Sequence, residues 1–444
     1  MKDTSIPDEH HVHRAGGWLP QDHRAHREAL GKLVAQAEEN KHKELHPALK
    51  RFQDTIESDT RLYLLFTQMF DQIPKKKQYK KDPSGQKEVR SYHHMLRVLN
   101  HILTNPPNWI TQGEKSHVVG LPINALLDWP MGTSAGFAAF LDPEVNKNIK
   151  EIVDAWGEFL KSPASAECLG TDEKGWFSPT ALEHLEFTAN LGGQTSYKFE
   201  ELFVCDPKAE HHGFKSWDDF FTRLFRFEDG IRPVASPEDD NVIANACESL
   251  TYAVAHDVKA RDKFWVKEQP YSVLDMLARD ELAPQFVGGT IYQAFLSALS
   301  YHRWHAPVSG KVVKSYIIPG TYYSEPLYDD FTDTQGADPM GESTSQCYIT
   351  AAATRGCMFI EADNPRIGLI AMLFVGMAEV STSEITAKEG QHVKKGDQLG
   401  MFHFGGSTHC ILFRKGVDVS GFPQSQGEGR TVNVPVRGRL AVVK

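Results

Sequence analysis

The sequence predicts an α+β protein in which a helical N-terminal domain is followed by a β-rich domain. Through the first 190 or so residues, apolar side chains recur every three or four positions, the period of an amphipathic helix. From about residue 241, short runs rich in β-branched and aromatic residues alternate with Gly, Pro, Asn and Asp, a pattern typical of strands and turns. With 444 residues, 41% of them hydrophobic, the chain is large enough for two or three structural units. We place the domains at 1–200 and 201–444.

Helical spacing is clearest in four N-terminal segments. These are Glu28–Glu38, Leu49–Ile73, Tyr92–Leu103 and Val145–Leu160. A further short amphipathic helix is predicted for Trp217–Phe227, with Phe220, Phe221, Leu224 and Phe225 on its apolar side. Pro74–Gly85 is basic and bounded by Pro and Gly, which favours a solvated loop.

The β-rich domain contains eight clear strand candidates. They are Val242–Ile243, Leu250–His256, Gly310–Ile317, Met358–Glu361, Ile367–Phe374, Glu379–Thr386, Gly400–Phe404 and Cys410–Phe413. The apolar run Ile367–Ala378 is shorter than the roughly 20 residues of a membrane helix, so we interpret it as a buried strand pair. The acidic segment Glu325–Ser345 predicts a loop or lid beside an active site.

Composition argues against several classes of partner and compartment. The chain has 48 Lys+Arg and 58 Asp+Glu, a net charge of −10, so phosphates of nucleic acids and of anionic membranes would repel it. Its six cysteines are scattered singly, as in a protein with reduced thiols. Met1–Arg14 is polar and unlike a signal peptide. We therefore expect a soluble cytoplasmic protein that binds neither nucleic acid nor membrane.

The first candidate site is Gly-Gly-Ser-Thr at 405–408, which follows the predicted strand Gly400–Phe404. Ser407 is expected where this strand runs into a turn. Gly406 has no side chain, so a nucleophile could reach its carbonyl carbon and its backbone could adopt strained angles. Taken alone, such a segment is usually an ordinary turn.

Two histidines, His302 and His305, lie three positions apart in the aromatic and basic segment Tyr301–Pro307. No third ligand stands at a recognisable zinc spacing, so we predict no metal site. General acid–base chemistry fits this pair better. A hydrogen-bonded structural pair is the alternative.

Glu248 lies between two predicted apolar strands, where a carboxylate is costly without a partner. A histidine would be a natural partner, and a surface position at a strand end is the alternative. The segment Glu389–Leu399 and the start Ala306–Gly310 are similar to hairpins of biotin- and lipoate-carrier domains. A carrier needs a lysine at the hairpin tip, and none stands there in a Met-Lys-Met or Asp-Lys-Ala setting.

Taken together, these segments resemble the phosphatidylserine decarboxylase family. The matching pieces are FFTRLFRFEDGIRPV (220–234), ANACESLTY (244–252), YHRWHAPVSG (301–310), FVGMAEVSTSEIT (374–386) and EGQHVKKGDQLGMFHFGGST (389–408). The N-terminal pieces GWL (17–19), FQDTIESD (52–59), TSAGFAAF (133–140) and DAWGEFL (154–160) are similar to a soluble fungal branch of the family that includes an L-tryptophan decarboxylase.

The resemblance implies a self-processing enzyme. It implies cleavage between Gly406 and Ser407, conversion of Ser407 into a covalent pyruvoyl cofactor in place of pyridoxal phosphate, and two associated chains, 1–406 and 407–444. His305 would be the processing base for Ser407, and His302 would serve decarboxylation. Glu248 stands where most of the family has Asp, and we expect it to orient His305.

The pyruvoyl carbonyl would bind the substrate amine as a Schiff base and withdraw electrons as carbon dioxide leaves. By the same resemblance, the substrate is an aromatic L-amino acid, tryptophan above all. The first alternative is a phosphatidylserine decarboxylase that makes phosphatidylethanolamine. The second is a non-catalytic biotin/lipoyl-like hairpin module.

Overall fold

The computed structural model describes most of the chain. The described residues are 23–40, 42–72, 89, 91–112, 115–117, 122–262, 271–324, 346–377, 379, 382–403, 406–424 and 432–444. The predicted loops Pro74–Gly85 and Glu325–Ser345 fall outside them. The α+β class is confirmed, because helices dominate the described chain to residue 202 and strands dominate after residue 241. Among the described helices, none is long and apolar enough to cross a membrane.

Helices build the N-terminal part, and shorter ones recur later. They are α1 (His23–Glu39), α2 (Pro47–Ser58), α3 (Thr60–Gln72), α4 (Tyr92–Ile102), α5 (Pro122–Met131), α6 (Ser134–Phe140), α7 (Pro143–Lys161), α8 (Pro179–Ala189), α9 (Phe199–Leu202), α10 (Trp217–Phe221), α11 (Val273–Met276) and α12 (Gln346–Ala352). A small hairpin of β1 (Ile110–Gln112) and β2 (Lys115–His117) lies between α4 and α5.

The single helix predicted over Leu49–Ile73 is wrong, because the chain forms α2 and α3 with Asp59 between them. Asp59 is extended, with φ −112° and ψ 114°. Its carboxylate accepts the N–H groups of Arg61 and Leu62 at 2.8 and 3.1 Å, which is the bonding of a helix N-cap. The apolar spacing continues across the break and therefore conceals it.

Helix α10 is also shorter than predicted. It ends at Phe221, and the Thr222 hydroxyl bonds to the Asp218 carbonyl at 2.8 Å. Beyond that point Phe225 forms a β-bridge with Phe203, so residues up to Phe227 do not continue the helix. The side-chain hydroxyl of Thr222 competes with the helical bonding of the next turn.

Thirteen strands in the described chain after residue 241 form three sheets. The strands are β3 (Val242–Ala244), β4 (Leu250–Ala255), β5 (Thr290–Leu296), β6 (Arg303–His305), β7 (Gly310–Ile318), β8 (Arg355–Ala362), β9 (Leu369–Met377), β10 (Thr382–Ile385), β11 (His392–Val393), β12 (Gln398–His403), β13 (Gly406–Phe413), β14 (Val419–Ser420) and β15 (Arg439–Val443). The large sheet has the order β11-β7-β8-β9-β13-β5-β4, and the two small sheets are β10-β12-β6 and β14-β15-β3.

The predicted strand pair over Ile367–Ala378 is wrong, because its described part contains the single strand β9, and Ala378 lies outside the described residues. Strand β9 pairs with β8 on one edge and with β13 on the other, and its residues from 369 to 376 are buried. A strand covered on both faces has no polar alternation. The long apolar run therefore reflects a central position in the sheet.

The sheet β10-β12-β6 packs face to face on the large sheet through Trp304. Its indole stacks on Phe374 of β9 with ring centroids 3.9 Å apart and planes 2° apart. Gly400 of β12 permits this approach, because a Cβ there would lie 2.6 Å from the indole. The same indole contacts Phe402 edge-on at 4.8 Å. This packing places β6 against β9, the strand that pairs with β13 at the predicted cleavage site.

Candidate active site

Ser407 is the second residue of β13, a strand that is paired along both edges. Its Cα partners are Leu296 on β5 and Gly376 on β9, while Gly406 pairs with Met377. The expectation that Ser407 lies at a strand-to-turn junction is therefore wrong: the residue is already within the next strand. Ser407 is fully buried, and its Oγ has no hydrogen-bond partner among the described residues. This hydroxyl is held away from water by a fixed backbone.

His305 ends β6 and is buried with both ring nitrogens bonded. Its Nδ1 lies 2.8 Å from the Gly396 carbonyl oxygen, and its Nε2 lies 3.0 Å from the Tyr301 hydroxyl. A carbonyl only accepts hydrogen bonds, so Nδ1 carries the proton and, in the neutral ring, Nε2 accepts from Tyr301. Nε2 is therefore the nitrogen that can act as a base.

Burial lowers the pKa of His305 to about 4. The hydrogen bond to the Gly396 carbonyl acts in the opposite direction and raises the pKa, whereas the cations of Arg437 and Arg303 lower it further. Burial raises the pKa of the Tyr301 phenol, which keeps its hydroxyl protonated as a donor. His305 is thus neutral at physiological pH, the state that a general base requires.

The glycine turn before β12 positions the acceptor for His305. Gly396 has φ +91°, and a Cβ there would lie 2.5 Å from Val234, so only glycine fits. Two backbone bonds tie the turn to Ala306: Gly396 N–H to the Ala306 carbonyl at 2.8 Å, and Ala306 N–H to the Asp397 carbonyl at 2.7 Å. The Lys-Gly-Asp segment, which is similar to carrier hairpins, therefore supplies the carbonyl oxygen that orients His305.

His302 immediately precedes β6 and is also fully buried. Its ring stacks on Phe221 of α10 with centroids 4.0 Å apart and planes 18° apart. Its carbonyl accepts the Phe402 N–H at 3.0 Å, which anchors this end of β6 to β12. The ring therefore has a fixed place between α10 and the sheet β10-β12-β6.

Glu248, in the connection from β3 to β4, does not bond His305. It is buried and accepts a bidentate pair from Arg232, with Arg232 Nε to Glu248 Oε2 at 2.9 Å, and the Val436 N–H at 2.7 Å. The predicted carboxylate–imidazole contact is replaced by an ion pair and by the Gly396 carbonyl. The Glu248 charge contributes to the raised pKa of Tyr301, so the carboxylate acts near the phenol that bonds His305.

Ser407 and the histidines belong to two packed sheets. Among the described residues, no hydrogen bond joins the Ser407 Oγ to either ring. His305 and the Glu248 connection are neighbours, because the His305 N–H bonds to the Ala246 carbonyl at 2.8 Å. No three His, Cys, Asp or Glu in the described ranges converge as a metal site.

The sequence did not reveal the buried His403, which ends β12 four residues before Ser407. Its Nδ1 lies 2.8 Å from Asp218 of α10 and its Nε2 3.0 Å from Glu384 of β10. Burial lowers the pKa of His403, but the two carboxylates outweigh that effect and raise it. Its partners are 185 and 19 positions away along the chain, so no local pattern could indicate the cluster.

Comparison with known proteins identifies the family. A family profile described as phosphatidylserine decarboxylase matches residues 217–433, a span that contains all five predicted site residues, and another with this description matches residues 46–185. The chain belongs to the phosphatidylserine decarboxylase family, and it is a decarboxylase. The alternative of a non-catalytic carrier module is therefore set aside.

Three relatives show how far the similarity extends along the chain. The L-tryptophan decarboxylase of Psilocybe cubensis is 37% identical over 411 residues, covering 90% of this chain and 88% of the relative. The decarboxylase iboD of Amanita muscaria is 45% identical over 71% of this chain and 89% of its own length. The phosphatidylserine decarboxylase proenzyme of Fusobacterium nucleatum is 29% identical over 48% of this chain and 65% of its own. The similarity to the first relative spans nearly the whole chain.

The depressed pKa of His305 predicts acid-sensitive folding. The unfolded chain binds a proton at His305 below its ordinary pKa of 6.5, whereas the folded protein does so only near pH 4. The unfolded state therefore holds more protons, and stability falls as pH drops through this window. Between pH 7 and pH 5, we expect the free energy of unfolding of His305→Gln to fall by on the order of 1–2 kcal/mol less than that of the parent protein. Urea unfolding at the two pH values measures both changes. Equal falls in the free energy of unfolding for parent and variant would contradict a neutral buried His305. His392→Gln, which replaces an exposed histidine, is the control.

The Arg232–Glu248 ion pair predicts strong coupling in stability. Removing either partner leaves the other charge buried, which costs about 3–5 kcal/mol. We expect Glu248→Gln and Arg232→Met each to destabilise the fold, and the double variant to lose much less than the sum. Urea unfolding of all four proteins measures the coupling. Losses of stability that simply add in the double variant would contradict the ion pair. A Glu248→Gln protein that is stable but not cleaved would instead show that the carboxylate takes part in processing.

Proposed function

We propose that this decarboxylase cuts itself between Gly406 and Ser407, converts Ser407 into a pyruvoyl group, and decarboxylates an aromatic L-amino acid, with tryptophan preferred. The observation that carries the substrate assignment is the extent of similarity to the Psilocybe cubensis L-tryptophan decarboxylase. It covers 90% of this chain and so includes the helical part, whereas the Fusobacterium proenzyme matches 48%.

Processing begins when the Ser407 Oγ attacks the Gly406 carbonyl carbon. A base takes the hydroxyl proton, the C–N bond breaks, and an ester replaces the amide while Ser407 gains a free amino group. Loss of the Ser407 α-proton then breaks the Cβ–Oγ bond and releases the Gly406 carboxylate. Addition of water and departure of ammonia complete the pyruvoyl group at residue 407.

His305 is the proposed base for the first step. Its neutral ring, with Nδ1–H held by Gly396, leaves Nε2 as the accepting nitrogen. The Gly396 carbonyl thus takes the orienting place that a carboxylate has in a Ser–His–acid triad. Because Tyr301 donates to Nε2 at 3.0 Å, its hydroxyl must turn aside when Nε2 accepts the serine proton.

The surroundings of residue 407 fit a pyruvoyl group. The Ser407 hydroxyl is buried and unbonded among the described residues, and the residues paired with it are Leu296 and Gly376. When formed, the group supplies a carbonyl that binds an amine and withdraws electrons as carbon dioxide departs. No pyridoxal phosphate is then needed. His302, buried against Phe221, is the proposed donor of the proton that replaces carbon dioxide.

The pairing of β13 supports a stable two-chain product. Residues from Ser407 to Phe413 are paired with β5 and β9 on both edges, and β15 pairs with β3. The three partner strands, β5, β9 and β3, all belong to chain 1–406. The chain 407–444 therefore stays bound through two sheets without a covalent link.

Variants of the three proposed residues separate processing from turnover. Ser407→Ala should remain one chain and be inactive, because alanine has no nucleophile. His305→Ala should also stay uncleaved, whereas His302→Ala should cleave but lose about 10²–10⁴-fold in turnover. Denaturing gels and carbon dioxide release on the same samples measure both effects. Ser420→Ala, another strand serine, is the control. Two chains from Ser407→Ala would contradict the cleavage site, and cleaved His305→Ala with uncleaved His302→Ala would reverse the roles.

A substrate panel tests the specificity. Cleaved enzyme without added pyridoxal phosphate is incubated with tryptophan, phenylalanine, tyrosine and phosphatidylserine vesicles, and each amine and phosphatidylethanolamine are quantified. We expect tryptophan to give the highest kcat/KM, because an aromatic ring is recognised by stacking in an enclosed site. Turnover of the vesicles alone would assign the chain to phospholipid and leave its processing chemistry unchanged. Ser407→Ala protein is the blank for both readouts.

A further inference from the structure

His409 lies two residues after Ser407 on β13, and both side chains project to the same side of the strand. It is fully buried, and neither ring nitrogen has a hydrogen-bond partner among the described residues. With the Ser407 Oγ, three buried polar atoms on this side of β13 are therefore unsatisfied. Thr408, which projects to the opposite side, is satisfied, since its hydroxyl bonds to Gln293 Nε2 at 3.0 Å and to the Ala294 carbonyl at 2.9 Å.

Such a cluster is unusual in a protein interior. The large majority of buried side-chain polar atoms find a partner, and each one left unbonded costs about 1–3 kcal/mol. Burial also lowers the pKa of His409 to about 3, so its ring is neutral. A neutral imidazole presents one donor and one acceptor. Neither is engaged by a described residue.

The neighbours of His409 suit an aromatic molecule. Its Cα partners are Ala294 on β5 and Phe374 on β9, and the partner of Ser407 on β9 is Gly376. Ala294 and Gly376 add little side-chain volume on this side of the sheet. Tyr292 meets the imidazole edge-on at 5.8 Å and is fixed by a 3.2 Å bond to Thr251. Aromatic edges and faces of this kind hold an aromatic ring by stacking.

We propose that His409 is a substrate-contacting residue that sets side-chain specificity by accepting a hydrogen bond from the indole N–H of tryptophan. The proposal rests on the proposed function. The α-carbon of an amine-bound substrate is two bonds from the α-carbon of residue 407, and its ring begins two bonds further away. Residue 409 is about 6.6 Å from residue 407 along the strand, a distance that matches the side chain of the substrate and not its reacting carbon.

Replacing His409 tests the contact through a ratio of substrates. His409→Phe keeps an aromatic ring and removes both nitrogens, so we expect normal self-cleavage on a denaturing gel. We expect kcat/KM for tryptophan to fall about tenfold, mainly through KM, and that for phenylalanine to change little, because only tryptophan loses a hydrogen bond. Ile411→Val, at the next position on the same side of β13, is the control and should leave the ratio unchanged.

A methylated substrate gives the same test without relying on one variant. 1-Methyltryptophan lacks the indole N–H, so the parent enzyme should use it about tenfold less well than tryptophan, and His409→Phe should not distinguish the two. Calorimetric binding of tryptamine and 1-methyltryptamine to the cleaved parent enzyme gives a readout independent of turnover.

Two results would overturn the proposal. One is a parent enzyme that uses tryptophan and 1-methyltryptophan equally well. The other is a His409→Phe variant whose losses on tryptophan and phenylalanine are equal. Either result leaves the proposed function intact as long as the parent turns over tryptophan. A parent that turns over no amino acid would instead remove both.

Discussion

The double pairing of β13 is the constraint on which the site depends. β5 and β9 hold this strand from both edges, so Ser407 has a fixed backbone in the middle of a seven-stranded sheet. A nucleophile that attacks the preceding peptide bond needs such a fixed position. Effective attack requires reacting atoms that are held close together and aligned. In the proposed function, the same ladder would retain the strand once its N-terminal bond is cut. One structural feature would therefore serve both the proposed cleavage and the proposed two-chain product.

The pKa values of the histidines around this strand are shifted in two directions. His305 and His409 are neutral, since burial depresses the pKa of each. His403 is the opposite case, because Asp218 and Glu384 raise its pKa. A neutral ring can accept a proton or a hydrogen bond, whereas the His403 ring bonds two carboxylates and so acts as a structural link. The link joins α10 to the end of β12, directly before the residues that lead to Ser407.

Much of the fold was predictable, and the errors have physical causes. The helical and β-rich regions follow from periodicity, but β5 was missed because Gln293 interrupts its apolar run; that side chain is buried through bonds to Tyr271 and Thr408. The start of β13 was missed because two adjacent glycines predict a turn. In each case the deciding partner is distant in sequence, so local pattern could not reveal it.

The predicted site residues were chosen through their motifs, but their contacts were not predictable. His302, His305, Ser407 and Glu248 are all buried, yet the expected bond between Glu248 and His305 is absent from the described contacts. Glu248 neutralises Arg232, 16 positions earlier, and Gly396, 91 positions after His305, orients the imidazole. A carboxylate and a backbone carbonyl can both accept from an imidazole N–H, but only the carboxylate can be recognised from its residue type in the sequence.

The helical part is tied to the segment after β9 through Glu379, a contact that supports the use of its similarity in the proposed substrate assignment. Glu379 is buried and accepts the N–H groups of Ile123 and Asn124 at the start of α5, where a carboxylate complements the helix dipole. It follows β9, whose Gly376 pairs with Ser407. Helix α5 is thus anchored three residues from Gly376, the strand partner of Ser407. Under the proposed function, changes in the helical part would alter the border of the site without changing β6 and β13, and so would allow members of one family to differ in substrate.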